Sequence, residues 1–354
     1  MNRLRKQICL IGSIPNPRQD IQFRALFELL ESKNYEISEE IGNEYLIAIN
    51  HNQAELDEFL RRGGAKENTV LLRPEPDAVF PAQYKQKIFR QYGLVITPGG
   101  DASVQLTNQR FEFPYQINID PNNRSLNDPD LEIEVNHAIM EKRFDLENWL
   151  GRPIKTSMVI SNKVSPVPRS NYAIRRLAAL EISPEELEVY GTLWTSSFKT
   201  QLRHRVAVAV FAIRSGYLPN PRSIFGSLGK SYPTAKGVVA NKHSVLKNSK
   251  FSLVIENTNT HITEKIFDAI INGAVPIYVG PNLKELGIPS DIAFEVSADI
   301  LSIKEALGSY NPMIISRKLK AIQEFLTSEI FWKDWSAPKV HLKIALEIDR
   351  HFQK

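Results

Sequence analysis

With 354 residues, 42% of them hydrophobic and 24% charged, the chain has apolar material for two cores, and at roughly 100 to 200 residues per domain it is expected to hold two domains. A formal charge of +4, from 44 basic and 40 acidic residues, excludes the strongly basic composition of a general nucleic-acid binder and gives no reason to expect an acidic partner. The single cysteine, Cys9, excludes an intrachain disulfide and a cysteine-based metal cluster and fits a reducing compartment.

In chain order, Gln7 to Ile11 reads as a strand, Phe23 to Glu31 as a helix, Tyr45 to Ile49 as a strand, Gln53 to Arg61 as a helix and Thr69 to Leu72 as a strand. This alternation predicts an α/β domain with a parallel sheet. Leu94 to Thr97 is a further strand ending in Pro98-Gly99-Gly100, and Pro114 to Asp130, rich in Asn, Pro and Asp, reads as irregular. Phe144 to Pro153 marks the expected boundary, which gives a first domain over residues 1–150 and a second over 151–354. The second begins with a strand from Thr156 to Ser161 and continues with a helix, Ser170 to Leu180, that carries Arg175 and Arg176. Phe198 to Arg214 is a helix displaying Lys199, Arg203, His204, Arg205 and Arg214. Its broad apolar face, Val206 to Ile213, is expected to bury against the second domain; the alternative is a basic surface toward an anionic acceptor or lipid headgroups.

The segment Lys250 to Gly280 is the most informative. Phe251 to Ile255 is a strand, Thr263 stands in the N-cap position before Ile266, Phe267, Ala269 and Ile270 at helical spacing, Asn272-Gly273 ends the helix, and Ala274 to Val279 is a second strand. The result is a β-loop-α-β unit. Unpaired N–H groups and the macrodipole at such a helix start favour anions. Lys265 adds a full charge there, and Glu264 can accept hydrogen bonds from ligand hydroxyls. Phosphate and hydroxyl together suit a nucleotide sugar, whereas Thr-Glu-Lys alone is also an ordinary capped helix start.

Glu256-Asn257 after an apolar strand, then Ile262-Thr263-Glu264-Lys265, Ala274-Val275-Pro276-Ile277 and Gly280, resembles the signature of glycosyltransferase family 10, the α1,3/α1,4-fucosyltransferases. The resemblance is densest over residues 246–296, including Pro289-Ser290-Asp291-Ile292-Ala293-Phe294, looser over 156–191, and weakest in the N-terminal half. It implies the GT-B architecture: two Rossmann-like domains with parallel sheets facing a central cleft, the donor on the second and the acceptor mainly on the first. The amphipathic terminal segments Leu319 to Leu326 and Val340 to Phe352 are then expected to pack back across that cleft. The implied reaction is inverting transfer of fucose from GDP-β-L-fucose to a hydroxyl of a glycan acceptor of GlcNAc or Glc type.

That reaction needs a general base, stabilisation of an oxocarbenium-like ring and cations or donors for the departing diphosphate. The resemblance assigns the base to the carboxylate that ends an N-domain strand, here Glu75 in Arg73-Pro74-Glu75-Pro76, with Asp77 as the alternative. It places Arg175 with Lys265 on the diphosphate, Asn257 and Glu256 along the donor pocket, and Glu264 on sugar or ribose hydroxyls. Thr263 belongs to the same donor-binding group, and Glu256 has an alternative role tying down loop N–H groups. His261 stands where members commonly have tyrosine, in a loop about two residues shorter than usual, and is read as a donor contact or a structural histidine. The chain between Gly191 and Leu246 is also longer than the family pattern.

No cofactor and no metal are expected. Asp128-Pro129-Asp130 has the outline of a DxD metal pair but falls in the polar segment between domains, and the histidines show neither His-x-x-x-His nor His-Glu-x-x-His spacing. Met1 to Lys6 is basic, but the apolar run after it, Ile8 to Ile11, is too short for a signal peptide, and no run approaches the roughly 18 apolar residues that span a membrane. A bacterial-type cytoplasmic enzyme, with contact at most peripheral to the inner face of a membrane and a role such as lipopolysaccharide assembly, is the expectation. Two other readings stay open: a GT-B transferase using another nucleotide sugar, and a non-catalytic sugar-nucleotide or glycan-binding module.

Overall fold

The computed structural model describes residues 5–12, 21–98, 110–113, 128–214, 216–308 and 311–354. Gly99-Gly100 and residues 114–127 of the irregular segment lie outside the described residues. The chain forms two compact units, Met1–Leu131 with Trp332–Lys354, and Glu132–Phe331.

The first unit is built on β1 (Lys6–Gly12), β2 (Tyr35–Ser38), β3 (Tyr45–Ile49), β4 (Thr69–Leu72), β5 (Leu94–Pro98) and β6 (Arg110–Phe113), in the spatial order β2-β1-β3-β4-β5-β6. Every neighbouring pair is parallel. β1, β3 and β4 are apolar at successive positions because both faces of the sheet are covered there. With the period of two, Ile8, Leu10, Ile47 and Ile49 face one core, and Cys9, Ile11, Leu46 and Ala48 face the other with Leu56, Phe59 and Tyr92. β2 and β6 were not expected, because each contributes two apolar residues only.

The first of these cores is completed from the far end of the sequence. Val340, Ile344, Ile348 and Phe352 of the helix Ala337–Phe352 pack into it beside Phe23, Leu26, Phe27 and Leu30. Asp349 locks this helix in place, accepting hydrogen bonds from Lys33 Nζ and Tyr35 Oη at 3.0 Å each. The two-domain division at residue 150 is therefore corrected at both ends: the units divide after Leu131, and the chain returns to the first unit at Trp332. The expected boundary, Phe144 to Pro153, instead holds a helix, Leu146–Leu150. Trp149 on it is buried, donates to the Lys250 carbonyl at 2.6 Å and meets Phe251 edge-on, all within the second unit.

Burial pushes the Asp349 carboxyl up, but the Lys33 and Tyr35 hydrogen bonds outweigh it and hold it below the ordinary aspartate range. A carboxylate depressed on folding contributes stability above its unfolded pKa and loses it as pH falls through the folded value. Asp349→Asn is expected to cost about 1 to 2 kcal/mol at neutral pH, with the gap to wild type closing in acid. Thermal melts of the two proteins between neutral and acid pH check this, and a gap that stays constant would contradict it.

The second unit carries β7 (Ile154–Val159), β8 (Glu188–Tyr190), β9 (Ala235–Gly237), β10 (Ser249–Ile255), β11 (Val275–Val279) and β12 (Phe294–Glu295). Their order is β12-β11-β10-β7-β8-β9, again all parallel. β10 and β11 lie at its centre, with Ile255 opposite Val279, and almost every residue of both is buried. The first strand of the unit, β7, runs two residues earlier than the expected Thr156 to Ser161. Asp128-Pro129-Asp130 opens the helix Asp128–Met140 rather than lying in a loop.

The helix Phe198–Arg214 has its expected limits but the opposite orientation. Gln201, Arg205 and Ala212 face inward, and the apolar face expected to be buried is exposed. The reason is specific hydrogen bonding. Arg205 donates to the Ile224 carbonyl and to Ser227 Oγ, and Gln201 Nε2 donates to the Ser196 carbonyl at 3.0 Å. Among the described residues, no helix is long and apolar enough to cross a membrane.

Candidate functional site

In open parallel sheets ligands gather at the carboxyl ends of the strands, so the residues that follow β10 and β4 matter most. Glu256 follows β10 directly and its backbone N–H still bonds the Val279 carbonyl at 2.8 Å, which extends the β10–β11 ladder by one step. Its side chain is 0% exposed. A carboxylate buried so completely needs donors, and it has three: Thr263 N–H at 3.0 Å, Thr263 Oγ1 at 2.6 Å and Lys265 Nζ at 3.1 Å. Glu256 thus closes the loop between strand and helix.

Thr263 is correspondingly not the N-cap. Its hydroxyl donates to Glu256, Glu264 takes the cap position without a side-chain capping bond, and the helix Lys265–Ile271 has seven residues. A helix of two turns has a weak end field, so the local positive charge rests on side chains. Lys265, its side chain 16% exposed, is held against Glu256 and Thr263 Oγ1. Glu264 is half-buried. Burial pushes its carboxyl up, but Lys265 and Lys242 together hold it below the ordinary carboxylate range, so it stays charged.

Lys242 was not singled out from the sequence. It arrives on the helix Lys242–Lys247 and pairs with Asp268, and no motif signals either residue. Tyr278 and Gly280 were also missed as neighbours of Glu256. A Cβ on Gly280 would sit 2.4 Å from Tyr278 Oη and 2.9 Å from Glu256 Cγ, so a side chain there would have to displace both.

Arg175 lies at the same strand end, on the helix Tyr172–Glu181. It is 3% exposed, with Nη2 donating to the Ile255 carbonyl at 2.7 Å and to Asn257 Oδ1 at 2.8 Å, and its guanidinium stacks on Tyr172 at 4.4 Å. Burial lowers its pKa, opposed by Tyr172 and by the charges of Glu256 and Glu264. Arg176, one position on, points elsewhere and donates to the Lys163 carbonyl at 3.1 Å. Asn257 is partly exposed, and its carbonyl accepts from Asn171 N–H at 2.9 Å.

His261 is placed differently from a ligand contact. At 1% exposure it is turned inward, bridged backbone to backbone with Thr258, with Nδ1 3.1 Å from Thr260 Oγ1. Its ring shapes the loop.

Glu75 belongs to the first unit, beyond the carboxyl end of β4. The loop carrying it is clamped. Gln83 Nε2 and Tyr84 Oη both donate to its carbonyl, at 3.3 and 3.0 Å, while the buried Arg73 guanidinium stacks on Tyr84 at 3.6 Å and on Phe89 at 4.8 Å. Glu75 is half-buried and Asp77 is buried, so of the two carboxylates Glu75 has the greater access to solvent. The structure therefore gathers Glu256, Asn257, Thr263, Glu264, Lys265 and Arg175 at one end of β10, and sets Glu75 at the matching end of the other sheet.

No family model matches the chain. Over 54 residues it is 46% identical to a putative fucosyltransferase-like protein of Arabidopsis thaliana, a stretch that covers 14% of this chain and 10% of that protein. Among solved structures it is similar to an α1,3-fucosyltransferase with GDP, at 14% identity and a TM-score of 0.51, covering 100% of this chain and 92% of that one. It is also similar to a glycosyltransferase from Rickettsia africae, at 11% identity and a TM-score of 0.50, covering 99% and 100% of the two chains. These likenesses show the fold: two parallel sheets flanked by helices in the GT-B manner.

Proposed function

We propose that this chain is an inverting glycosyltransferase whose donor is a nucleotide diphosphate sugar, GDP-β-L-fucose, and whose acceptor is a glycan hydroxyl of GlcNAc or Glc type. The observation that carries this reading is the cluster at the end of β10, where Lys265 and Arg175 supply cations and Glu264 supplies a charged acceptor beside them. Diphosphate and sugar hydroxyls demand this pairing of opposite charges. The sequence likeness to a fucosyltransferase-like protein, and the GT-B likeness to an α1,3-fucosyltransferase with GDP, favour the fucose donor.

In this reading Lys265 leaves its contact with Glu256 to bond the diphosphate. Arg175, being buried, fixes Asn257 and adds its charge from behind. Glu256 and Thr263 hold the loop from which Lys265 and Asn257 reach the ligand. Glu264 accepts from ribose or sugar hydroxyls, and its negative charge opposes the positive charge growing on the ring at the transition state. Glu75 takes the proton from the acceptor hydroxyl as it attacks the anomeric carbon, while the bond to the diphosphate breaks. Lysine and arginine take the place of a metal ion, so transfer is expected to be insensitive to EDTA.

Lys265→Ala removes a charge-assisted contact and is expected to weaken GDP binding by roughly 10- to 100-fold. Calorimetric titration with GDP, UDP and GDP-fucose, followed by transfer assays on lactose, N-acetyllactosamine and lipopolysaccharide fragments, tests the reading. A preference for UDP would replace the donor, as the His261 departure makes worth asking. Binding of GDP with no turnover on any acceptor, unchanged by Glu75→Gln, would favour a binding module instead.

A further inference from the structure

We propose that the outward face of the helix Phe198–Arg214 seats this protein on an anionic lipid bilayer. The proposal stands independently of the sugar-transfer reading. Its first support is the orientation of the helix. Arg205 is 1% exposed, and its hydrogen bonds to the Ile224 carbonyl and Ser227 Oγ lock the polar side inward. Turning the helix to bury its apolar side would strip a buried guanidinium of those partners, so the exposed face is built into the fold.

At about 100° per residue, Phe198, Leu202, Val206, Val210 and Ile213 fall along one side of the helix. All five are between 36% and 59% exposed, which makes a continuous apolar stripe rather than scattered surface residues. Leu218, in the turn that follows, is 89% exposed. By the same rotation Arg203 and Arg214 fall along one edge of this stripe and Lys199 just inside that edge, and all three are exposed.

Charge then selects the occupant. From Val189 to Ile255 the chain has ten Lys and Arg and no Asp or Glu, although the totals for the whole chain are 44 and 40. Of these, Arg205 is buried and Lys236, Lys242 and Lys247 pair with acids from other segments, so the one-signed charge is that of the helix itself, in Lys199, Arg203 and Arg214. Cores of protein interfaces are depleted in lysine, and protein partners are aligned by interleaved charges of both signs, which this helix does not carry. An apolar ridge on a helix whose charged residues are all basic instead matches a helix lying in a headgroup layer, its aliphatic side chains among the acyl chains and its cations on lipid phosphates. The helix is not long and apolar enough to cross the layer, so the contact is peripheral.

The test is co-sedimentation of the full chain with vesicles of phosphatidylcholine alone or with about one-third phosphatidylglycerol, at about 0.1 M and 0.5 M salt. Binding to the anionic vesicles is expected at low salt, falling at high salt, with little binding to neutral ones. Val206→Asp with Val210→Asp, and separately Lys199→Glu with Arg203→Glu, should each reduce anionic-vesicle binding by about tenfold or more, since each near-surface charge is worth roughly 1 kcal/mol. These four positions are solvent-facing, so both variants should melt as wild type does. The proposal is overturned by absence of binding to anionic vesicles, by equal binding to neutral ones, or by full binding of both variants. Self-association abolished by Val206→Asp with Val210→Asp, without vesicle binding, would assign the stripe to a second copy of the chain and equally overturn it.

Discussion

Glu75→Gln is expected to lower the rate of sugar transfer by roughly 10² to 10⁴ while leaving GDP affinity within about twofold of wild type. The amide keeps the size and most of the polarity of the side chain but cannot take a proton. Because Glu75 lies in the first unit and the cluster around Lys265 in the second, the substitution leaves every group proposed to hold the donor in place. The bonds from Gln83 and Tyr84 to the Glu75 backbone carbonyl are untouched by the substitution and should continue to hold the loop. Transfer kinetics and calorimetry on one preparation separate the two effects. A parallel loss of rate and GDP affinity would contradict the assignment, and full activity in Asp77→Asn is the accompanying expectation.

Glu256→Ala should have the largest effect on folding, a loss of about 3 kcal/mol, at the low end of the range for breaking a buried ion pair. The carboxylate is fully buried, and its removal strands Thr263 N–H and the Thr263 hydroxyl proton and leaves Lys265 Nζ with Thr263 Oγ1 in place of the ion pair. The low end applies because Lys265 retains some exposure and can regain water. Glu256→Gln should lose less, because its amide oxygen can still accept one of the bonds. Denaturant unfolding followed by tryptophan fluorescence measures both variants. Stability within about 0.5 kcal/mol of wild type for Glu256→Ala would show that this carboxylate does not hold the loop.

The β10-loop-helix-β11 unit was legible because its signals are local: two apolar runs of strand length, helical spacing from Ile266 and a Gly273 stop. Its internal bonding was not. Thr263 has the right side chain for an N-cap, but a buried carboxylate seven positions earlier is a stronger acceptor and draws its hydroxyl away. The helix Phe198–Arg214 shows the same limit. Periodicity marks an apolar face, but a tertiary partner, the Ile224 carbonyl, decides that Arg205 goes inside. The amphipathic pattern of Val340 to Phe352 likewise tells which side is buried but not which sheet receives it, so the return to the first unit was invisible to a boundary drawn by composition. Lys242 and Asp268 carry no sequence signal because their pairing depends on the helix Lys242–Lys247 docking beside Lys265–Ile271.

The central claim is that positive side chains at the end of β10 grip the diphosphate of a sugar nucleotide, and a crystal structure of the chain with GDP tests it most directly. The expected density places diphosphate oxygens within about 3 Å of Lys265 Nζ, with that ammonium withdrawn from Glu256 and Asn257 alongside. GDP bound anywhere else, or Lys265 still paired with Glu256 and turned from the nucleotide, would contradict the claim.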